Sequence, residues 1–333
     1  MRARELGIAI GELEPGPANA ITDVGGVRVG HTTLIEGADV RTGLTVVVPP
    51  LPAFAAPHRL NGNGEMTGLE WIGEAGLLET PVALTNTHSV GAVHQALIAH
   101  RHRDADAPRW SLPVVAETWD GYLNDIDGFH VREEHVFTAL DVATGGAVPE
   151  GNVGGGTGMI CHGFKGGIGT ASRLVDDWTL GVLVQANHGV RRRLAIDGVP
   201  VGRELGLERI PGPTRPDGSV IVIVATDAPL LPHQCERVAQ RATLGIGRTG
   251  GAGETSSGDL VLAFATGNDL PAETVRMVDE ERIDRLFYAA IEATEEAIVN
   301  ALLGAETMTG RNGVTVHALD HEALLATMRR YGR

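Results

Sequence analysis

Three stretches of this chain, WTLGVLVQAN (178–187), GSVIVIVATD (218–227) and DLVLAFAT (259–266), are apolar at consecutive positions, not at alternate ones. A strand points successive side chains to opposite faces, so such a run has no face to give to water. Each must be covered on both sides, which requires layers outside it. VGGVRVGHTTL (24–34), GLTVVVP (43–49) and PVALTNT (81–87) add further β-type runs. Helical periodicity appears in 68–78, 90–100, 232–245 and 281–304, and DHEALLATMRRYG reads as a last helix. The third of these starts at Pro232 and stops at Gly245, as helices often do. Strands and helices in mixed order, without a repeat, predict a layered α+β fold.

Composition narrows the chemistry. Aromatic residues make up only 4% of the chain against 45 glycines, so the core is aliphatic and the backbone turns tightly in many places. The net charge of −15 is spread along the chain and no basic stripe exists to neutralise a phosphate backbone, which excludes nucleic acid as a partner. Arg191, Arg192 and Arg193 read as a solvated loop face. Two cysteines, Cys161 and Cys235, are too few for a disulfide framework or a thiolate metal site, and read as packed small hydrophobes in a reducing compartment. No signal peptide and no run of ~20 apolar residues is seen, so the expectation is a soluble, cytoplasmic protein without a membrane partner. Two connectors, 102–110 and 191–218, read as surface excursions and not as domain linkers.

Several motif lookalikes fail on context. GIGRTG (245–250) spells a dinucleotide fingerprint, but a helix precedes it where a strand is needed. In GMICHGFK (158–165), Phe164 separates the glycine from Lys165, displacing the lysine from any phosphate. His94 and His100 are six apart on a predicted helix and share no face, so no metal site is expected.

The segment GGAGETSSGDLVLAFAT (251–267) sets glycine-rich chain and three hydroxyls, Thr255, Ser256 and Ser257, against a buried strand. One reading is a hydroxyl-rich turn, since such side chains bond nearby backbone. The other is a serine that attacks its own preceding peptide bond. Scission then makes it a new N-terminus, whose α-amine, with an ordinary pKa of ~7.7–8.0, acts as base for the adjacent hydroxyl.

Read with NGNGEMTG (61–68), ETWDGYLNDIDGFHV (117–131), GNVGGGTGMICHGFKGGIGTAS (151–172), GVLVQANHG (181–189), ATDAPL (225–230) and EATEEAIVNALLGA (292–305), this segment resembles the DmpA family of self-processing serine aminopeptidases. The family comprises the L-aminopeptidase/D-esterases and the β-aminopeptidases. The resemblance runs from about residue 15 to about residue 320. It implies a four-layer αββα sandwich, shared with ornithine acetyltransferases, cut into a large subunit (1–256) and a small one (257–333) that stay together. It also implies a homotetramer or larger assembly, no cofactor and no metal. Substrates are short peptides, amides or esters carrying a free amine.

By the same resemblance, Ser257 is the nucleophile and scission falls between Ser256 and Ser257, where the family commonly has Gly-Ser. A nucleophile shifted to Ser256 stays open. Asn187 matches the oxyanion-hole asparagine. Glu117 matches the carboxylate that holds the substrate's ammonium, with Trp119 lining the same pocket. Thr294 and Glu296 match a Ser-x-Glu pair beside the nucleophile. Residues two apart on one helix differ by ~200° in direction, so this assignment predicts a break near 292–294, with Thr294 as N-cap. Asn63 and Gly155 are further candidates for contacts at the site. Alternatives are an endo-amidase similar to the nylon-oligomer hydrolases, an acetyltransferase of related fold, and an uncleaved non-catalytic homologue.

Overall fold

The computed structural model describes residues 1–104, 110–213 and 218–333. Residues 105–109 and 214–217, which fall in the two predicted connectors, lie outside the described residues. The described chain forms two sheets stacked face to face with helices outside both. One sheet has four strands: β1 (Arg28–Glu36), β2 (Val40–Val48), β5 (Val82–Asn86) and β6 (Val114–Thr118), in that order. The other has six, in the order β4 (Leu77–Leu78), β3 (Ala53–Gly62), β12 (Gly258–Ala265), β11 (Ser219–Thr226), β10 (Trp178–Asn187) and β9 (Gly167–Val175). A small hairpin, β7 (Ile160–Cys161) and β8 (Phe164–Lys165), precedes β9.

The consecutively apolar runs are explained by the two faces they serve. On β11, Ile221, Ile223 and Ala225 pack into the core between the sheets, whereas Val220, Val222 and Val224 pack toward the helices. On β12, Leu260, Leu262 and Phe264 take the first direction, Val261, Ala263 and Ala265 the second. Helices α5 (Pro232–Arg248) and α6 (Ile283–Leu303) supply the outer cover of the six-stranded sheet. Helices α2 (Val90–Arg101) and α3 (Glu133–Asp141) cover the other sheet, packing Val93, Leu97, Val136 and Ala139 on Leu44, Val46, Ala83 and Val115. The result is the expected αββα sandwich. Shorter helices α1 (Leu69–Ala75), α4 (Val201–Glu204) and α7 (His321–Arg330) lie at its margins. Parallel neighbours β5/β6 and β11/β12 are joined through α2 and α5, as parallel pairing requires a crossover.

Three expectations fail. The predicted break near 292–294 is absent: α6 runs unbroken from Ile283 to Leu303, with Thr294 and Glu296 inside it and not at a start. No glycine or proline interrupts it, and every residue from Ala289 to Leu303 is buried, so packing sustains the turns that an N-cap at Thr294 would have ended. The 191–213 stretch is not a surface excursion, because Leu194, Ile196, Val201 and Leu205 join the main core. Arg191 is not solvated either. Its guanidinium lies 3.3 Å from the centre of the Phe164 ring and donates to the carbonyls of His162, Gly163, Leu205 and Ile210. The fixed fork of arginine suits a buried cluster of carbonyls.

No helix among the described residues is long and apolar enough to cross a membrane.

Candidate active site

Ser257 sits at the entry to β12 and is only 2% exposed. Its strand lies inside the six-stranded sheet, between β3 and β11, so the serine is presented by a fixed element. The Ser257 hydroxyl donates to Asp259 Oδ1 at 2.6 Å, and its backbone N–H donates to the Glu254 carbonyl at 2.8 Å. Residues 257 and 259 share a face of extended chain, which is why they meet. Burial raises the Asp259 carboxyl to about 6, opposed by the Ser257 hydroxyl and reinforced by the charge of Glu254.

Two asparagines from the NGNG end of β3 reach the same turn. Asn63 Nδ2 donates to the Ser256 carbonyl at 2.9 Å. Asn61 Nδ2 donates to the carbonyls of Ser257 and Glu254. Here the glycines have a measurable purpose. A Cβ on Gly258 would lie 2.6 Å from Gly64 Cα, and one on Gly64 would lie 3.2 Å from Glu117 Oε1. Bare backbone at these two positions therefore brings the Glu117 carboxylate close to the serine turn.

Glu117 is buried near the end of β6. It accepts from the Glu65 N–H at 3.0 Å and from the Thr87 hydroxyl. Desolvation pushes its carboxyl upward, and these two hydrogen bonds pull it back. Asn187 ends β10 and pairs with Ser219 on β11, whose hydroxyl accepts from the Gly258 N–H at 3.0 Å. One strand thus separates Asn187 from β12. The Asn187 amide donates to the Trp119 carbonyl at 2.9 Å and accepts from the Ile160 N–H at 2.7 Å. These bonds fix its orientation at the rim of a cavity of about 410 Å³, lined also by Trp119, Tyr122, His188, Arg192 and Arg203.

Trp119, 37% exposed, does line a pocket, but Glu117 is not part of that pocket's wall. The strand ends at Thr118, so Glu117 is held within the sheet while Trp119 follows it outside the sheet.

Thr294 and Glu296 are not brought to the nucleophile by any described hydrogen bond. Thr294 Oγ1 is buried without a hydrogen-bond partner, at a point where a Cβ on Gly245 would strike its Cβ at 2.7 Å. Glu296 is spent elsewhere: Arg173 Nη2 lies at 2.7 Å, Arg4 Nε at 3.2 Å and Asn19 Nδ2 at 2.6 Å. One turn earlier, Glu292 meets Arg173 Nε at 3.1 Å and accepts from the N–H groups of Glu12 and Leu13. The EATEE segment thus fastens the N-terminal arm to α6 and β9.

The rejected motifs have structural uses. Gly245 and Gly247 lie within α5. Lys165 is fully buried and donates to the carbonyls of Gly156, Met159 and Gly166, with burial lowering its ammonium to about 7. Among the described residues, Cys161, His162 and His188 place possible ligand atoms within 4.8 Å of one another. Burial pushes the Cys161 thiol up to about 12 and His162 down to about 4, so the cluster is neutral as it stands. A Cβ on Gly155 would fall 2.1 Å from Gln185 Oε1 and 2.6 Å from the Leu84 carbonyl oxygen.

Asp259 and Asn61 carried no assigned role in the sequence. The period of two between Ser257 and Asp259 was the available signal for the first; Asn61 gave none, because Pro57 masked β3 as a strand.

The profile of peptidase family S58 matches residues 19–316. The chain belongs to peptidase family S58. This S58 peptidase is 45% identical to the β-peptidyl aminopeptidase of Sphingosinicella microcystinivorans, over 100% of its own length and 93% of the relative's. Among solved structures it superposes on a β-aminopeptidase of a Burkholderia species with a TM-score of 0.94 at 54% identity, covering 100% of this chain and 99% of the other. It superposes on the L-aminopeptidase D-Ala-esterase/amidase of Ochrobactrum anthropi with a TM-score of 0.91 at 45% identity, again covering 100% and 99%. That protein is described as a prototype for the serine aminopeptidases and a variant of the Ntn-hydrolase fold. The S58 peptidase is therefore an aminopeptidase with an Ntn-hydrolase fold.

Proposed function

We propose that the chain is a self-activating aminopeptidase that releases N-terminal residues from short peptides, amides or esters through an acyl-enzyme on Ser257. Scission between Ser256 and Ser257 frees an α-amine on the residue that bears the attacking oxygen. That amine is the base of the mature enzyme, so no catalytic histidine is needed. Asn187 supplies an amide donor for the developing oxyanion, already oriented by two hydrogen bonds. Glu117 receives the substrate's ammonium, and the Trp119 cavity takes the adjoining part of the substrate.

The observation that carries this reading is the burial of Ser257 at the head of a central strand, with a carboxylate drawn near through the Gly64/Gly258 contact. A free ammonium facing Glu117 forms a charge-assisted bond, whereas a substrate without one leaves a buried carboxylate unpaired. That difference favours exopeptidase over endo-amidase chemistry. The names of the relatives point to β-amino as well as α-amino substrates.

Denaturing mass spectrometry of the purified chain tests the reading. Fragments 1–256 and 257–333 are expected, with Ser257→Ala remaining a single 35.0 kDa chain. An active, cut Ser257→Ala protein refutes the assignment.

A further inference from the structure

The amine that serves the mature enzyme does not exist before the first cut. In the continuous chain the Ser257 nitrogen is an amide, and its N–H is committed to the Glu254 carbonyl. It cannot accept a proton. The first scission therefore needs another base, and an acceptor site for charge on the Ser256 carbonyl oxygen.

Both are in place. Among the described residues, Asp259 is the only side chain to which the Ser257 hydroxyl is hydrogen-bonded, at 2.6 Å and through its donated proton. The Ser256 carbonyl, whose carbon the hydroxyl must attack, accepts the Asn63 side-chain amide at 2.9 Å. Asn61 holds the next carbonyl, that of Ser257, and the Glu254 carbonyl, so the turn is gripped on both sides of the peptide bond to be broken. We propose that Asp259 is the general base of self-cleavage and Asn63 its oxyanion donor, a pair distinct from the amine and Asn187 of the mature enzyme. This rests on Ser257 being the nucleophile.

The step balances without a further reagent until water enters. Asp259 takes the proton from Ser257 Oγ as Oγ bonds to the Ser256 carbonyl carbon, and the C=O electron pair moves to the oxygen facing Asn63. The C–N bond then breaks, and Asp259 returns the proton to the departing nitrogen, leaving an ester between Ser256 and Ser257 Oγ. Water hydrolyses the ester, giving a carboxylate on Ser256 and restoring the hydroxyl beside a free amine. Burial that places the Asp259 carboxyl at about 6 leaves it ionised at neutral pH, yet more basic than an exposed aspartate.

The test follows scission of freshly synthesised full-length chain by denaturing mass spectrometry. Asp259→Asn is expected to slow it by about 100-fold or more, and Asn63→Ala by about 100-fold. Asn63 is exposed, so its removal does not threaten the fold and keeps the proposal testable if Asp259→Asn fails to fold. A thiol ionises far more readily than a hydroxyl, so placing Asp259→Asn on a Ser257→Cys chain should cost much less than on the serine chain. A merely structural aspartate would cost both equally. Wild-type scission rates in Asp259→Asn or in Asn63→Ala, with Ser257→Ala still uncut, overturn this inference and leave the proposed function standing. A wild-type chain that never cuts overturns the proposed function itself.

Discussion

Arg173 Nη2 and Glu296 Oε2 lie 2.7 Å apart, and neither side chain is exposed to solvent. The same guanidinium holds Glu292, so one buried cation answers two buried carboxylates from adjacent turns of α6. Removing one partner of such a group costs about 3–5 kcal/mol, because the remaining charge is stranded. Arg173→Met should be destabilised by that amount in denaturant unfolding. Glu296→Gln should lose less, since Arg173 keeps Glu292. If Glu296 instead oriented Ser257, Glu296→Gln would melt like the wild type and lose turnover, and the structural role given to it here would be wrong.

Glu117→Gln keeps an acceptor for the Glu65 N–H, turns its amide N–H toward the Thr87 hydroxyl as a donor, and removes the charge. With free-amine substrates kcat/KM should fall about 10–100-fold, the worth of a charge-assisted bond. An N-acetylated substrate should be little affected. Equal losses on both substrates would remove Glu117 from ammonium recognition.

Gly258→Ala introduces a Cβ 2.6 Å from Gly64 Cα, against backbone that has no flexible end to yield. Overpacking of this kind costs about 1–3 kcal/mol. The displaced turn should slow both scission and turnover by up to about 100-fold. Wild-type rates in this variant would show that the Gly64/Gly258 contact is not needed to place the serine.

Burial raises the Asp120 carboxyl from 3.8 to about 7, while Asn124, Thr42 and Asn86 pull it down. The folded protein holds this proton more tightly than the unfolded chain does. Its stabilising contribution is therefore present below about pH 4 and lost as pH rises through about 7. Asp120→Asn, permanently neutral, should show a smaller decline in melting temperature between about pH 4 and pH 8. Parallel curves for the two proteins would place the titration elsewhere.

The layers were legible in the sequence because they follow from period. WTLGVLVQAN, GSVIVIVATD and DLVLAFAT have no polar face, and a chain with such strands must sheathe them. The strands that escaped notice are those whose residues argue against a strand. In β3, Pro57 lacks a donor, yet it lies beyond the residues that pair with β4, where no neighbour asks for one. In β9, Gly169 looks like loop, but a Cβ there would fall 1.9 Å from the Ala297 carbonyl oxygen, so its absence lets α6 settle on the sheet. Within the site, motif matching pointed to Ser257, Asn187 and Glu117, and the structure sets Ser257 and Asn187 one strand apart. It did not foresee the unbroken α6 or the ion pair of Glu296 with Arg173, because the burial of α6 and the demand of Arg173 for carboxylates arise from residues far away in sequence.

The position of β12 between β3 and β11 has a mechanical consequence. A chain opened just before Ser257 leaves the short fragment's first strand stitched on one side to 53–62 and on the other to 219–226. Releasing that fragment means unzipping the middle of a sheet and stripping its apolar residues from both neighbouring layers. The nicked molecule should thus unfold as one cooperative body, and an isolated 257–333 peptide should neither fold alone nor exchange into an intact neighbour.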